Sequence, residues 1–154
     1  MAINVSDSVV IAKPVPEVFA FVADHENLPA WTVGVKQSRR LTDGPPSGGS
    51  AYRVVGKLLG RSIESSYLIT GFEPGHGFEG TMTSAAFGFC ERYRFESAGD
   101  GTCVSMSATV EPHGLFRLLK PVMAAGVRRQ VKADHRRLKA VLERPSPVAG
   151  PVPS

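Results

Sequence analysis

The stretch FGFCERYRFESAGDGTCVSMSATVE, residues 87–111, decides how this chain folds. Two runs of alternating residues flank Ala98-Gly99-Asp100-Gly101, whose small and turn-forming residues suit a tight hairpin. Setting Phe95 opposite Val104 also sets Tyr93 opposite Met106 and Glu91 opposite Ala108. On the other face Arg94 then meets Ser105 and Arg92 meets Ser107. One face is almost wholly apolar and the other polar, as a sheet covered on one side requires. The same register puts Cys90 and Cys103 about six rungs apart, roughly 20 Å at ~3.4 Å per residue, too far for a disulfide. Two free thiols suit a reducing compartment.

Strand signals continue on the N-terminal side. Residues 3–12, 33–41, 51–59, 62–72 and 78–84 precede the two strands at 87–97 and 103–111, with Leu59-Gly60 as a tight turn. The first two strands are separated by KPVPEVFAFVADHENLPAW, residues 13–31. Pro14 and Pro16 stop the first strand, and Pro16 fits a first helical turn with Glu17 complementing the dipole. Val18, Phe19, Phe21 and Val22 give the helix an apolar side. Asp24 can cap a second short helix that Pro29 keeps brief. Two short helices meeting at a corner are expected, sealed by Trp31.

On the C-terminal side the period changes. Phe116, Leu119, Met123, Val127, Val131, Leu138 and Leu142 form a stripe at helical spacing, and Pro121 either begins the regular helix or kinks it early. The order β-α-α-β6-α predicts an α+β domain over residues 1–144. In it a seven-stranded antiparallel curved sheet wraps around the long C-terminal helix, and the two short helices close one end. One helix is too narrow to fill the apolar face of such a sheet, so a cavity follows. The Pro-rich segment 145–154 is expected to be disordered.

PVPEVFAFVADHENLPAW resembles the first-helix segment of the START-like, polyketide cyclase/dehydrase (SRPBCC) superfamily. GDGTCVSMSATVEPHGLFRLLKPVM is similar to its last hairpin running into the grip helix, and LKAVLE to that helix's end. The resemblance covers roughly residues 3–144. It implies the helix-grip fold and ligands such as lipids, sterols, hormones or polyketides, with cyclisation or dehydration in some members. It carries over no catalytic set by position.

The expected ligand lining is Tyr52, Val54, Tyr67, Phe78, Met82, Phe89, Glu91, Tyr93, Phe95 and Met106. Glu91 is the candidate acid/base. A buried carboxylate without a partner is costly, so it serves chemistry or ligand hydroxyls, or else a bulge or structural ion pair accounts for it. His25 and His76 are expected to be exposed, and His135 to touch solvent at the edge of the helical stripe. The four histidines lack metal-site spacing, so no metal and no cofactor are expected. Gly75-His-Gly-Phe-Glu-Gly80 matches a dinucleotide-type glycine pattern, but strand-like residues follow it, which makes it a hairpin turn.

Charge is uneven. Residues 115–144 hold nine Lys/Arg against Asp134 and Glu143, while the rest is mildly acidic. The rival reading is therefore a non-catalytic interaction module that applies this basic helix to an acidic partner or membrane surface. No aromatic platform accompanies the basic residues, so no nucleic acid is expected. No run approaches the ~18 apolar residues of a membrane span, and the start has no leader pattern, so a cytoplasmic location is expected. A homodimer is left open.

Overall fold

The computed structural model describes residues 2–58 and 60–144. Leu59 of the expected turn and the Pro-rich segment 145–154 lie outside the described residues. Strand β1 (Ile3–Ile11) leads into helix α1 (Val15–Ala23), a 3-10 turn (His25–Asn27) and helix α2 (Leu28–Trp31). Six strands follow: β2 (Val35–Arg40), β3 (Ala51–Leu58), β4 (Arg61–Glu73), β5 (Gly77–Thr83), β6 (Phe87–Ala98) and β7 (Gly101–Pro112). A 3-10 segment (Gly114–Leu119) then enters the long helix α3 (Lys120–Glu143). The strands form one antiparallel sheet in the order β1-β7-β6-β5-β4-β3-β2. This is the helix-grip arrangement that the sequence predicts.

The β6–β7 register is the one read from the hairpin: Phe95 opposite Val104, Tyr93 opposite Met106, Glu91 opposite Ala108. In the β3–β4 pair Tyr52 lies opposite Tyr67. Cys90 and Cys103 are free thiols. Gly75 holds a positive φ of 76° in the β4–β5 turn, so the glycine-rich pattern is a hairpin turn.

The N-terminal helices form a plug. A proline in its first turn starts α1, which buries Val18, Phe19, Val22 and Ala23. The Phe19 ring lies edge-on 5.4 Å from Phe72 and 5.0 Å from Phe95. Asp24 Oδ1 accepts the Glu26 N–H at 3.0 Å and sets the corner between α1 and the 3-10 turn. Trp31 is buried.

Helix α3 is clamped along both flanks. Towards β1, Lys139 Nζ donates to the Val10 carbonyl at 2.8 Å and Arg128 to the Asn4 carbonyl at 3.4 Å. Towards the α2–β2 junction, Arg137 Nε donates to the Ala30 carbonyl at 3.2 Å, and Gln130 bonds the Val33 carbonyl. β1 and β2 are the two edges of the sheet, so α3 bridges over its concave face. The packing along the helix is uneven. Leu138 is fully buried, whereas Met123, Val127 and Val131 are half-buried. The expected stripe begins later than its spacing suggests. Residues 114–119 wind as a 3-10 segment with no buried residue, and Pro121 sits in the first turn of α3. A three-residue period cannot hold a 3.6-residue stripe on one face, and Leu119, expected on that stripe, is exposed. Among the described residues no helix is long and apolar enough to cross a membrane.

Candidate functional site

A cavity of about 290 Å³ lies between α3 and the sheet. Of the residues singled out from the sequence, Val54, Tyr67, Phe78 and Met82 line it from β3, β4 and β5. Phe89, Glu91, Tyr93 and Met106 line it from β6 and β7, and Met123, Val127 and Val131 close it from α3. Its lining reaches the surface at Val33, Gly34, Lys57 and Gln130, which are exposed.

Two expected liners are displaced. Tyr52 is fully buried with its ring 5.2 Å from that of His25. Phe95 packs 5.0 Å from Phe19 and 6.1 Å from Phe78. Neither lines the cavity, because the α1–α2 plug covers their part of the apolar face. Alternation finds the face but not how much of it the plug fills.

Glu91 sits in a three-residue cluster. Tyr67 donates its hydroxyl to Glu91 Oε2 at 2.7 Å, and His25 Nε2 lies 3.6 Å from the same oxygen. Contrary to expectation His25 is buried, its ring stacked on Tyr67 at 4.0 Å. Its Nδ1 lies 3.1 Å from the Ala23 carbonyl, so Nδ1–H donates there and Nε2 faces Glu91. Gly80 makes the cluster possible: a Cβ there would sit 1.9 Å from the Tyr67 hydroxyl oxygen. Tyr67 therefore crosses β5 where that strand has no side chain.

A second chain of groups escaped the sequence reading. The Tyr93 hydroxyl lies 3.3 Å from His135 Nε2, and His135 Nδ1 lies 2.8 Å from Asp7 Oδ2. Lys132 Nζ is 3.5 Å from the other Asp7 oxygen. His135 was expected at a solvent edge and is instead buried, because β1 closes over that side of α3. Asp7 had a legible signal. It shares its parity in β1 with Ile3, Val5, Val9 and Ile11, so alternation alone turns it inward. Burial pushes both the Tyr67 and Tyr93 phenols well above the usual range, and the Glu91 carboxylate adds to it. Both are neutral proton donors at physiological pH.

Asp134, also missed, accepts the Val33 N–H at 2.8 Å beside the cavity. Burial raises its pKa to about 7, against the opposing pull of that hydrogen bond and of Arg137. Trp31 Nε1 and Thr32 Oγ1, in two further lining residues, are buried without a partner among the described residues. Among those residues, no three His, Cys, Asp or Glu side chains are grouped to hold a metal ion.

Residues 2–143 match the family model described as polyketide cyclase/dehydrase and lipid transport. The fold is similar to that of the Zhui aromatase/cyclase from Streptomyces sp. R1128, with a TM-score of 0.80 at 14% identity over 94% of this chain and 95% of that one. It is also similar to a START superfamily protein from Mycobacterium smegmatis, with a TM-score of 0.71 at 20% identity over 90% and 98%. The di-domain ARO/CYC StfQ from the steffimycin biosynthetic pathway superposes with a TM-score of 0.73 at 12% identity over 91% of this chain and 50% of its own. At such identities the likeness is one of fold. No curated protein sequence matches the chain.

Proposed function

Since this chain belongs to the polyketide cyclase/dehydrase and lipid-transport family, we propose that it takes a small hydrophobic ligand into the cavity under α3 and performs proton-transfer chemistry on it, of the cyclisation or dehydration kind. The observation that carries this reading is an apolar cavity into which a Tyr93–His135–Asp7 chain and the Glu91 carboxylate both reach. Apolar walls with a few convergent polar groups are what small-molecule sites are made of.

The hydrogen bonds set the roles. With His135 protonated and paired to Asp7, Nε2–H donates to the Tyr93 oxygen and turns the phenol hydrogen towards a ligand carbonyl. With His135 neutral, Nδ1–H serves Asp7, and Nε2 accepts from Tyr93. Dehydration of a β-hydroxyketone removes an α-proton and expels the hydroxyl as water. Tyr93 polarises the carbonyl; Glu91 accepts the α-proton and returns it to the departing hydroxyl.

The rival use of the basic helix finds less support. Arg128, Arg137 and Lys139 donate to the chain's own carbonyls, and Lys132 faces Asp7, so much of the positive face is already engaged. Two free thiols favour a reducing, cytoplasmic setting. The test compares binding with turnover. An aromatic β-hydroxyketone should lose water with the native protein, and Tyr93→Phe should bind it with turnover reduced about 100-fold or more. Undiminished water loss with Tyr93→Phe and with Glu91→Gln would remove the catalytic part of the proposal.

A further inference from the structure

The polar groups of the cavity are unbalanced in charge. Its carboxylate is Glu91; Asp134, whose pKa burial raises to about 7, also lines it. Apart from the imidazoles of His25 and His135, the cationic side chain among the described lining residues is Lys57, exposed at the rim. Glu91 Oε2 is taken by Tyr67, whereas Oε1 receives no hydrogen bond from the described residues. The carboxylate is held by a phenol that passes over Gly80 and is itself stacked on the buried His25 ring, so it cannot swing away without breaking the Tyr67 hydrogen bond. A fixed acceptor with spare capacity inside apolar walls rewards a ligand that brings a donor. It penalises one that brings a second negative charge, because both lose water where the effective dielectric is low.

We propose that the cavity selects uncharged ligands carrying a phenol, enol or alcohol donor, hydrogen-bonded to Glu91, and rejects carboxylates of the same apolar body. This rests on the cavity being the ligand site. A hydrogen bond to a charged acceptor distinguishes the donor from its methyl ether. Size narrows the class further: about 290 Å³ corresponds to roughly ten waters of liquid volume, the scale of a compact one- or two-ring molecule. A free long-chain fatty acid fails on both counts, charge and length.

The experiment titrates the native protein at neutral pH with naphthalene, 2-naphthol, 2-methoxynaphthalene and 2-naphthoate, following ligand fluorescence or calorimetric heat. The expected order is naphthol first, the ether about tenfold weaker and the naphthoate about 30-fold weaker or more. In Glu91→Gln the gap between naphthol and naphthoate should shrink to about threefold, with naphthalene affinity unchanged. Naphthoate binding as tightly as naphthol to the native protein would overturn the selectivity while leaving the cavity a ligand site. Failure of all four probes, naphthalene included, would overturn the ligand site itself. Should Glu91→Gln not fold, the native ranking of the ether and the naphthoate decides the matter.

Discussion

At Gly80 strand β5 carries no side chain, and the Tyr67 phenol occupies the space that a Cβ would take. Gly80→Ala must push the phenol off Glu91 or shift the strand. The expected result is a loss of about 1–3 kcal/mol of stability, the usual range for overpacking, together with loss of the Tyr67–Glu91 hydrogen bond. Denaturant unfolding measures the first and NMR of the Tyr67 hydroxyl the second. Asp134 offers a test of linkage. Its folded pKa of about 7 lies above its ordinary 3.8. Between those values the folded protein holds a proton that the unfolded chain has released, so this group's stabilising contribution falls as pH rises through that window. Asp134→Asn keeps an acceptor for the Val33 N–H and removes the titration. The melting temperature of the native protein minus that of the variant should therefore decline from about pH 4 to pH 7 and flatten above. A difference that stays level across the window would show that Asp134 is not held protonated.

Helix α3 divides into a packed half and a half that roofs the cavity. Leu138 is fully buried against the core, whereas Val127 and Met123 look into open space. Leu138→Ala should cost about 2–5 kcal/mol, as cavity-forming truncations in a core do. Val127→Ala removes contacts from a wall that already lacks a neighbour and should cost less than about 1 kcal/mol while changing ligand affinity. Chemical denaturation of the two variants separates these outcomes, and equal losses would contradict the division. The clamps at Val10, Asn4, Ala30 and Val33 explain how a helix can span the sheet without resting on it.

In the whole molecule a ligand fills the gap between sheet and helix, so it should stabilise the native state by mass action. At 100 times its dissociation constant, 2-naphthol should add about 2.7 kcal/mol and raise the melting temperature by several degrees. Hydrogen exchange should slow most in residues 120–131 of α3, the part that lacks a packed partner, and little in β6 and β7. An unchanged melting temperature at saturation would dismiss the cavity as the site. The alternation in residues 87–111 and the 3.6-residue stripe beyond 120 determined the fold, because each period allows one face to be buried. The same parity placed Glu91 and Tyr93 on the concave face, and alternation in β1 could have placed Asp7 there too. Only the tertiary structure decided that His25 and His135 are buried, that Tyr52 and Phe95 lie under the plug, and that Asp7 reaches His135. The two contacts of His135, with Tyr93 and with Asp7, join residues 42 and 128 positions apart in the chain. Their geometry depends on how far the helices stand off the sheet, a distance that periodicity does not encode.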